Sequence, residues 1–224
     1  MTPKNGVSNG REPKTREPKT REPKTRETEA ILYQFKLTLL DVKPPIWRRI
    51  QVWNCTLDKL HEHIQTAMGW TNSHLHQFKI DDRLYGDPLL MEDNFETLEY
   101  VDSTSTELRL ILPKGGQRLR FSYEYDFGDG WEHEVLFEGC PNSEPGKRYP
   151  VCLEGERSCP PEDVGGVDGY AECLAVLADP KHDEHKEMRK WVGGEFHAER
   201  FDPAAATKTM LKGLPDWRRI GINA

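Results

Sequence analysis

Residues 123–133 read Tyr-Glu-Tyr-Asp-Phe-Gly-Asp-Gly-Trp-Glu-His, and this stretch decides how the surrounding chain folds. Apolar and polar side chains alternate on both sides of it, over residues 118–125 and 131–137. Alternation with a period of two is typical of half-buried strands. The Asp- and Gly-rich segment of residues 126–130 therefore predicts a tight turn, and the two alternating runs are predicted to form a β-hairpin around it.

Two further strands are predicted where the domain begins. Residues 31–41 alternate, Pro44-Pro45 interrupts them, and residues 46–53 form a second strand that is expected to run antiparallel to the first. Arg48 falls on a face shared with isoleucine and valine side chains. Because a buried arginine is stable only when it is paired, we expect Arg48 to bind a carboxylate and to act as a salt-bridge staple rather than as a ligand-binding group.

Helices are predicted before and after the hairpin. Thr56 can cap a helix that runs to about Met68, and His61 and His63 are interpreted as its surface or edge histidines. Three more helices are predicted over residues 168–178, 182–192 and 203–213, the first capped by Asp168. Between the hairpin and these helices, residues 152–166 are rich in Pro, Gly and acidic residues, which predicts an ordered but irregular loop.

The N-terminus has a different character. Residues 11–25 repeat Arg-Glu-Pro-Lys-Thr three times. Such a repeat has no apolar side chain to bury, so residues 1–29 are predicted to be a disordered tail with polyproline character. The tail carries 8 basic and 5 acidic residues, a net charge of +3, and the remaining chain is near −7 − 3 = −10. The interleaved glutamates weaken its interpretation as a nucleic-acid-binding arm.

Composition indicates a soluble, cytoplasmic protein. No apolar run approaches the roughly 20 residues that a membrane-spanning helix needs, and the N-terminus lacks the apolar core of a secretory signal. The chain has five cysteines without a Cys-x-x-Cys pair. An odd number of scattered cysteines is typical of reduced thiols rather than of a disulfide framework.

Histidines and carboxylates around the hairpin form a candidate site. Its members are His74, His76, Asp126, Asp129, His133, Glu162 and Asp163. These are the ligands of zinc, manganese or magnesium hydrolases, and a divalent metal is the one cofactor that the sequence indicates; the metal-ligand candidates are His74, His76, Asp129 and His133. The alternative is structural. Aspartates in tight turns commonly accept backbone N–H groups, and Trp131 and His133 would then simply continue the buried face.

A binding surface is the second interpretation of the same region. The sheet face that carries Tyr123, Tyr125, Trp131 and His133 beside Arg48 could hold a peptide, a nucleotide or a partner protein. A domain with a charge near −10 repels phosphates. The sequence therefore favours a protein or small-molecule ligand over nucleic acid, and it indicates no membrane partner.

Four motifs occur in a fixed order along the chain. They are Trp47-Arg-Arg49 after a double proline, Met68-Gly-Trp70 followed by His74-Leu-His76-Gln-Phe78, Tyr125-Asp-Phe-Gly-Asp129-Gly-Trp131-Glu-His133, and Cys159-Pro-Pro-Glu-Asp-Val-Gly-Gly166. Together they resemble the plasmid pRiA4b open-reading-frame-three-like family, whose relatives occur on plasmids and transposable elements. The resemblance covers about residues 31–215.

This resemblance implies a single α+β domain with a largely antiparallel, curved sheet and helices packed on one side. The domain is expected to span residues 30–215, between the tail of residues 1–29 and a C-terminal tail of residues 216–224. Some relatives carry a resolvase label, yet the chain shows neither a serine-recombinase nucleophile motif nor a basic recognition helix. We therefore expect an accessory or binding module, with a metal-dependent hydrolase or nuclease as the alternative.

Overall fold

The computed structural model describes Met1 and residues 30–91 and 99–214, and an eight-stranded sheet organises them. The strands are β1 Leu32–Leu39, β2 Ile46–Trp53, β3 His76–Ile80, β4 Arg83–Gly86, β5 Tyr100–Asp102, β6 Leu119–Tyr125, β7 Trp131–Gly139 and β8 Val151–Glu156. The helices are α1 Leu57–Met68, α2 Pro88–Met91, α3 Leu108–Ile111, α4 Gly166–Ala178, α5 His185–Trp191 and α6 Pro203–Lys212. The predicted tail of residues 1–29, Met1 apart, and the predicted segment of residues 216–224 lie outside the described residues.

The sheet has the order β5-β4-β3-β6-β7-β1-β2-β8, and every pair except β4 with β5 is antiparallel. Both predicted strand pairs are confirmed: β1 pairs with β2, and β6 with β7 around the Asp/Gly turn. The single α+β domain with a mostly antiparallel sheet is likewise confirmed. Because β3 pairs with β6, His76 lies opposite Tyr125 at the end of the hairpin.

The core lies on the face of the sheet that α1 covers. Phe35, Leu37, Val135 and Phe137 are fully buried there, and the rings of Phe35 and Phe137 are 5.7 Å apart. Burying such a side chain stabilises the fold by about 1.5–3 kcal/mol relative to leaving it exposed. The apolar side chains of the alternating runs thus face the core, and the polar ones between them face solvent.

Helix α1 begins and ends as the sequence predicts. The Thr56 hydroxyl accepts a hydrogen bond from the Lys59 N–H, and Gly69 ends the helix in a left-handed conformation. The surface assignment of His61 and His63 is wrong, because these side chains are only 3% and 7% exposed. Nine of the twelve residues of α1 are buried, because both the sheet and α6 contact the helix.

His61 can be buried because other side chains bind both of its ring nitrogens. Nε2 lies 2.7 Å from the side-chain oxygen of Asn72, which only accepts, so Nε2 carries the proton. Nδ1 then accepts from the Tyr123 hydroxyl at 2.8 Å. The His61 ring also stacks on His76 with ring centres 3.4 Å apart.

Strand β8 was not predicted, and it corrects the interpretation of residues 152–166 as irregular. It extends the sheet beyond β2 and forms its edge. The Thr207 side chain of α6 lies against this edge: its hydroxyl accepts from the Cys152 N–H at 3.0 Å and donates to the Cys152 carbonyl at 3.2 Å. From Arg157 to Gly165 the chain is indeed irregular.

The three C-terminal helices are confirmed with adjusted ends. Asp202 caps α6 by accepting from the Ala204 N–H. Contrary to the prediction, Asp168 lies inside the first turn of α4, and Gly165 occupies its cap position. Among the described residues, no helix has the length and apolar composition that crossing a bilayer requires.

Candidate metal centre

The hairpin turn fixes Asp126 in a left-handed conformation, with φ 57°. One carboxylate oxygen, Oδ1, accepts hydrogen bonds from the N–H groups of Gly128 at 3.0 Å and Asp129 at 3.3 Å. The aspartate therefore builds the turn, as the structural interpretation of the sequence predicted. Its second oxygen, Oδ2, takes no part in these turn bonds and lies 3.6 Å from His74 Nε2.

The loop of residues 157–165 is held against the hairpin by two carboxylates. Glu162 accepts hydrogen bonds from the Thr71 N–H at 2.7 Å, from the Thr71 hydroxyl at 3.0 Å and from the Tyr125 hydroxyl at 3.1 Å. On the other side, Asp129 Oδ2 accepts from the Gly165 N–H at 3.2 Å. Asp163 lies between these two attachments, so its position relative to the turn is fixed on both sides.

Three side chains from three segments converge at this point. His74 comes from the chain before β3, Asp126 from the hairpin turn and Asp163 from the docked loop. His74 Nε2 lies 2.9 Å from Asp163 Oδ1, and the three candidate ligand atoms all lie within 4.8 Å of one another. Within residues 30–91 and 99–214, this is the single grouping of three histidine, cysteine or carboxylate ligands that close together.

The cluster is rigid on its inner side and open to water on its outer side. The side chain of Asp126 is 10% exposed, that of His74 27% and that of Asp163 71%. Asp163, like Asp126, has a left-handed backbone, with φ 58°. Non-glycine residues rarely adopt this conformation, and it persists where the surrounding structure imposes it. Two of the three ligands thus lie on a constrained backbone, and turn hydrogen bonds also orient the Asp126 carboxylate.

The other metal candidates lie elsewhere. His76 is buried against His61 and Phe78, and His133 is fully buried, donating from Nδ1 to the Trp131 carbonyl at 3.1 Å. Asp129 uses its carboxylate to hold the loop. These three residues were predicted as ligands because of their types, but alternation along the strands directs both histidines into the core.

The proposed binding face of the sheet is also corrected. Tyr123, Tyr125, Trp131 and His133 are all fully buried, because α1 and the residues around Trp70 cover that face. No partner can reach them in this fold. Tyr125 still acts at the edge of the cluster, where its hydroxyl binds Glu162, and burial with the nearby Glu162 charge raises the pKa of Tyr125 well above its usual value.

Contrary to expectation, no carboxylate of the described residues binds Arg48. Its Nε donates to the Ala67 carbonyl at 3.0 Å, and its Nη1 donates to the carbonyls of Trp47 at 2.8 Å and Glu156 at 2.9 Å. The Phe201 ring lies 3.7 Å from the guanidinium carbon. Ala67 is in the last turn of α1, where carbonyls lack helical partners and carry partial negative charge. Helix-end and strand carbonyls thus take the place of the expected carboxylate.

Two contributors to the site were not identified from the sequence, namely Thr71 and Gly166. A Cβ atom on Gly166 would lie 2.5 Å from the Asp129 carbonyl oxygen, so the loop approaches the hairpin more closely than any other residue type allows. The paired glycines Gly165 and Gly166 were the available signal, because consecutive glycines commonly mark close backbone approach.

Replacing Gly166 with alanine is expected to cost about 2–4 kcal/mol of unfolding free energy, since backbone strain adds to a clash between two backbone segments. Gly165→Ala is the matched control. Gly165 also has positive φ, at 91°, but the nearest atom to its Cβ position is 3.6 Å away. Denaturant unfolding of both variants measures the difference, and equal costs would show that the close approach contributes nothing to stability.

The comparisons with known proteins cover the whole of this site. A sequence profile described as "Plasmid pRiA4b ORF-3-like protein" matches residues 31–205. The chain is 39% identical over 188 residues to uncharacterized protein y4hQ of Sinorhizobium fredii, a match covering 84% of this chain and 92% of that protein. The crystal structure of MM3350, a protein of unknown function from Methanosarcina mazei Go1, matches with a TM-score of 0.67 and 36% identity, covering 78% of this chain and 97% of that one.

Proposed function

We propose that this chain, which belongs to the plasmid pRiA4b ORF-3-like family, is a binding module that holds a divalent cation with His74, Asp126 and Asp163. The observation that carries the proposal is the convergence of one imidazole nitrogen and two carboxylate oxygens within 4.8 Å. Hydrogen bonds from the turn orient the Asp126 carboxylate, an arrangement that metal sites use to fix their geometry.

The spacing of the ligand atoms fits a small cation. Bonds of about 2.0–2.1 Å in a tetrahedral site place neighbouring ligand atoms about 3.3 Å apart. His74 Nε2 is 3.6 Å from Asp126 Oδ2 and 2.9 Å from Asp163 Oδ1, so the two separations bracket that value. Small side-chain rotations would equalise the two distances, and the exposed Asp163 has room to make them.

The donor set favours Zn²⁺ or Mn²⁺. Imidazole nitrogen suits zinc and other transition metals, whereas calcium and magnesium prefer sites made entirely of oxygen. Two carboxylates also neutralise the charge of a divalent ion, which matters for Asp126 because its side chain is only 10% exposed.

Titration calorimetry of the full chain, stripped with chelator and titrated with ZnCl₂ or MnCl₂, tests the proposal. We expect one bound ion, and His74→Ala or Asp126→Asn should weaken its affinity by at least about 30-fold. Asparagine preserves the turn, since its side-chain oxygen can accept the same N–H groups. The matched control is His197→Ala, which removes an exposed histidine 3.3 Å from a single carboxylate of Glu195. No binding, or equal losses at His74 and His197, would contradict the site.

Metal-dependent hydrolysis is the second candidate function, and the openness of the cluster is the observation that favours it. Three protein ligands with free coordination positions are typical of catalytic rather than structural zinc sites. When bound, the metal would lower the pKa of a coordinated water. His74, Asp126 and Asp163 would hold it, and the exposed side of Asp163 would admit substrate.

The setting of the module is part of the proposal. The five cysteines, all within the described residues, are free thiols, which supports a reducing compartment such as the cytoplasm. The net charge of the chain is −7, which supports a protein or small ligand as partner rather than nucleic acid.

A further inference from the structure

A groove between α4 and α5 lies beside the metal cluster and shares Asp163 with it. It encloses about 340 Å³. Its lining consists of Asp163, Val164, Gly169, Glu172, Glu184, Glu187, Met188 and Trp191. Four of these eight residues are acidic, and three, Val164, Met188 and Trp191, carry large apolar side chains. We call this feature the α4/α5 groove.

The apolar part of the α4/α5 groove includes an exposed indole. Trp191 is 49% exposed, one of the few large apolar side chains that the described residues leave in solvent. Glu184, Glu187, Met188 and Trp191 are spaced i, i+3, i+4 and i+7, so α5 turns this mixed acidic and apolar face toward the groove. Helical spacing places the basic residues of α5 on its other face.

Three of the four carboxylates of the groove are not neutralised by the fold. Among the described residues, Asp163 pairs with His74, while Glu172, Glu184 and Glu187 form no ion pair. An exposed indole surrounded by carboxylates suits a ligand that carries cations on aliphatic stems, because the ring face attracts the cation and the stem covers apolar surface. Aromatic grooves also bind proline-rich segments, whose extended backbone is already restricted.

We propose that the Arg-Glu-Pro-Lys-Thr repeats of residues 11–25 bind the α4/α5 groove of the same molecule. Each repeat carries two cations, one anion and one proline. The repeats thus offer a cation on an aliphatic stem and a proline, and their net positive charge complements the carboxylates of Glu172, Glu184 and Glu187. The proposal concerns the groove alone and stands whether or not His74 binds a cation.

The chain is long enough for this contact. The tail joins the domain at Ile31, at the end of β1 away from the hairpin turn, because Leu39 at the other end pairs with His133. An eight-residue strand spans about 26 Å. Thr20 is eleven residues before Ile31, and eleven extended residues reach about 36 Å. The repeats of residues 11–20 can therefore reach the hairpin end of the sheet, where the loop that carries Asp163 docks, and tethering raises their effective concentration there.

The test compares full-length chains for binding of a labelled synthetic peptide of residues 11–25, measured by fluorescence anisotropy. In one variant, the six arginines and lysines of residues 11–25 are changed to glutamine. This variant should bind the peptide at least about 10-fold more tightly than the natural chain, because a competing tethered segment has been removed. Adding Glu184→Gln and Glu187→Gln to it should then weaken the binding by at least about 10-fold.

A matched control removes two acidic charges elsewhere. Asp81→Asn with Asp82→Asn neutralises the exposed β3–β4 turn, at the opposite end of the sheet from the hairpin turn, and should leave peptide binding within about twofold. Equal peptide affinity in the natural and tail-neutralised chains would overturn the proposal, as would an equal effect of the two charge pairs. Tail-dependent dimerisation in sedimentation experiments would also overturn it, because the tail would then occupy a second copy.

Discussion

Arg48→Met is expected to lower the free energy of unfolding by about 3 kcal/mol. Three carbonyl groups, those of Trp47, Ala67 and Glu156, lose a charged donor when the guanidinium is removed. Hydrogen bonds to charged groups are worth about 1.5–3 kcal/mol each. Part of that loss is offset, because methionine avoids the cost of burying a charge. Burial lowers the pKa of Arg48 to about 10, which reflects that cost.

The neighbouring arginine provides the control for this prediction. Arg49 lies on the opposite face of β2 and pairs with Glu138 and Glu154, with 25% of its side chain exposed. Pairs with this exposure contribute about 1 kcal/mol or less each, so Arg49→Met should cost clearly less than Arg48→Met. Guanidinium chloride unfolding of both variants makes the comparison. If Arg48→Met lowers the unfolding free energy no more than Arg49→Met does, the three buried carbonyls must find other donors.

Acid is expected to unfold the protein through its buried histidines. Burial lowers the pKa of His133 to about 4, and burial lowers the pKa of His63 to about 4 as well. In the unfolded chain both would titrate near 6.5. Between these values the unfolded state binds more protons than the folded state, so stability falls as the pH is lowered from about 6.5 to 4. Each histidine can remove about 3 kcal/mol over that range, a large share of the 5–15 kcal/mol typical of a domain.

His63→Gln isolates one of the two contributions. The unfolding free energy of this variant should fall by about 3 kcal/mol less than that of the natural chain between pH 6.5 and 4, whatever its stability at neutral pH. Denaturant unfolding at half-unit pH intervals provides the data. Parallel curves for the natural chain and His63→Gln would show that His63 is protonated in the folded state.

Local patterns in the sequence were sufficient to predict four of the eight strands, β1, β2, β6 and β7, and the caps of α1. Strand β6 alternates strictly, and β1 and β7 nearly so, because one face of each is buried. Thr56 and Gly69 bound α1 by rules that involve only neighbouring residues. Strand β8 has no such pattern. It contains Gly155, has a single buried side chain, at Cys152, and exists because it pairs with β2 about a hundred residues earlier. Because neither face of β8 is buried, its sequence carries no alternating pattern.

The sequence included the three site residues among its candidates, but it could not show which of the candidates come together. His74, Asp126 and Asp163 were among the candidates because of residue type, together with His76, Asp129 and His133. What separates the two groups is where the loop of residues 157–165 docks, which depends on Glu162 reaching Thr71 and Tyr125. Such contacts between distant loops follow from the assembled fold. The burial of Arg48 was correctly anticipated, whereas its partners were not, because backbone carbonyls are not visible in a side-chain pattern.

The bridge between Thr207 and Cys152 has a consequence for how copies of this protein behave together. An edge strand offers unpaired N–H and C=O groups on which a strand of another molecule can add, and this is a common start of aggregation. At β8, one hydroxyl from α6 occupies both backbone groups of Cys152 in the interior of the edge. The Thr207 side chain thereby blocks the addition of a strand from another molecule at this edge. Loss of its hydroxyl would therefore first reduce the solubility of the folded protein at high concentration.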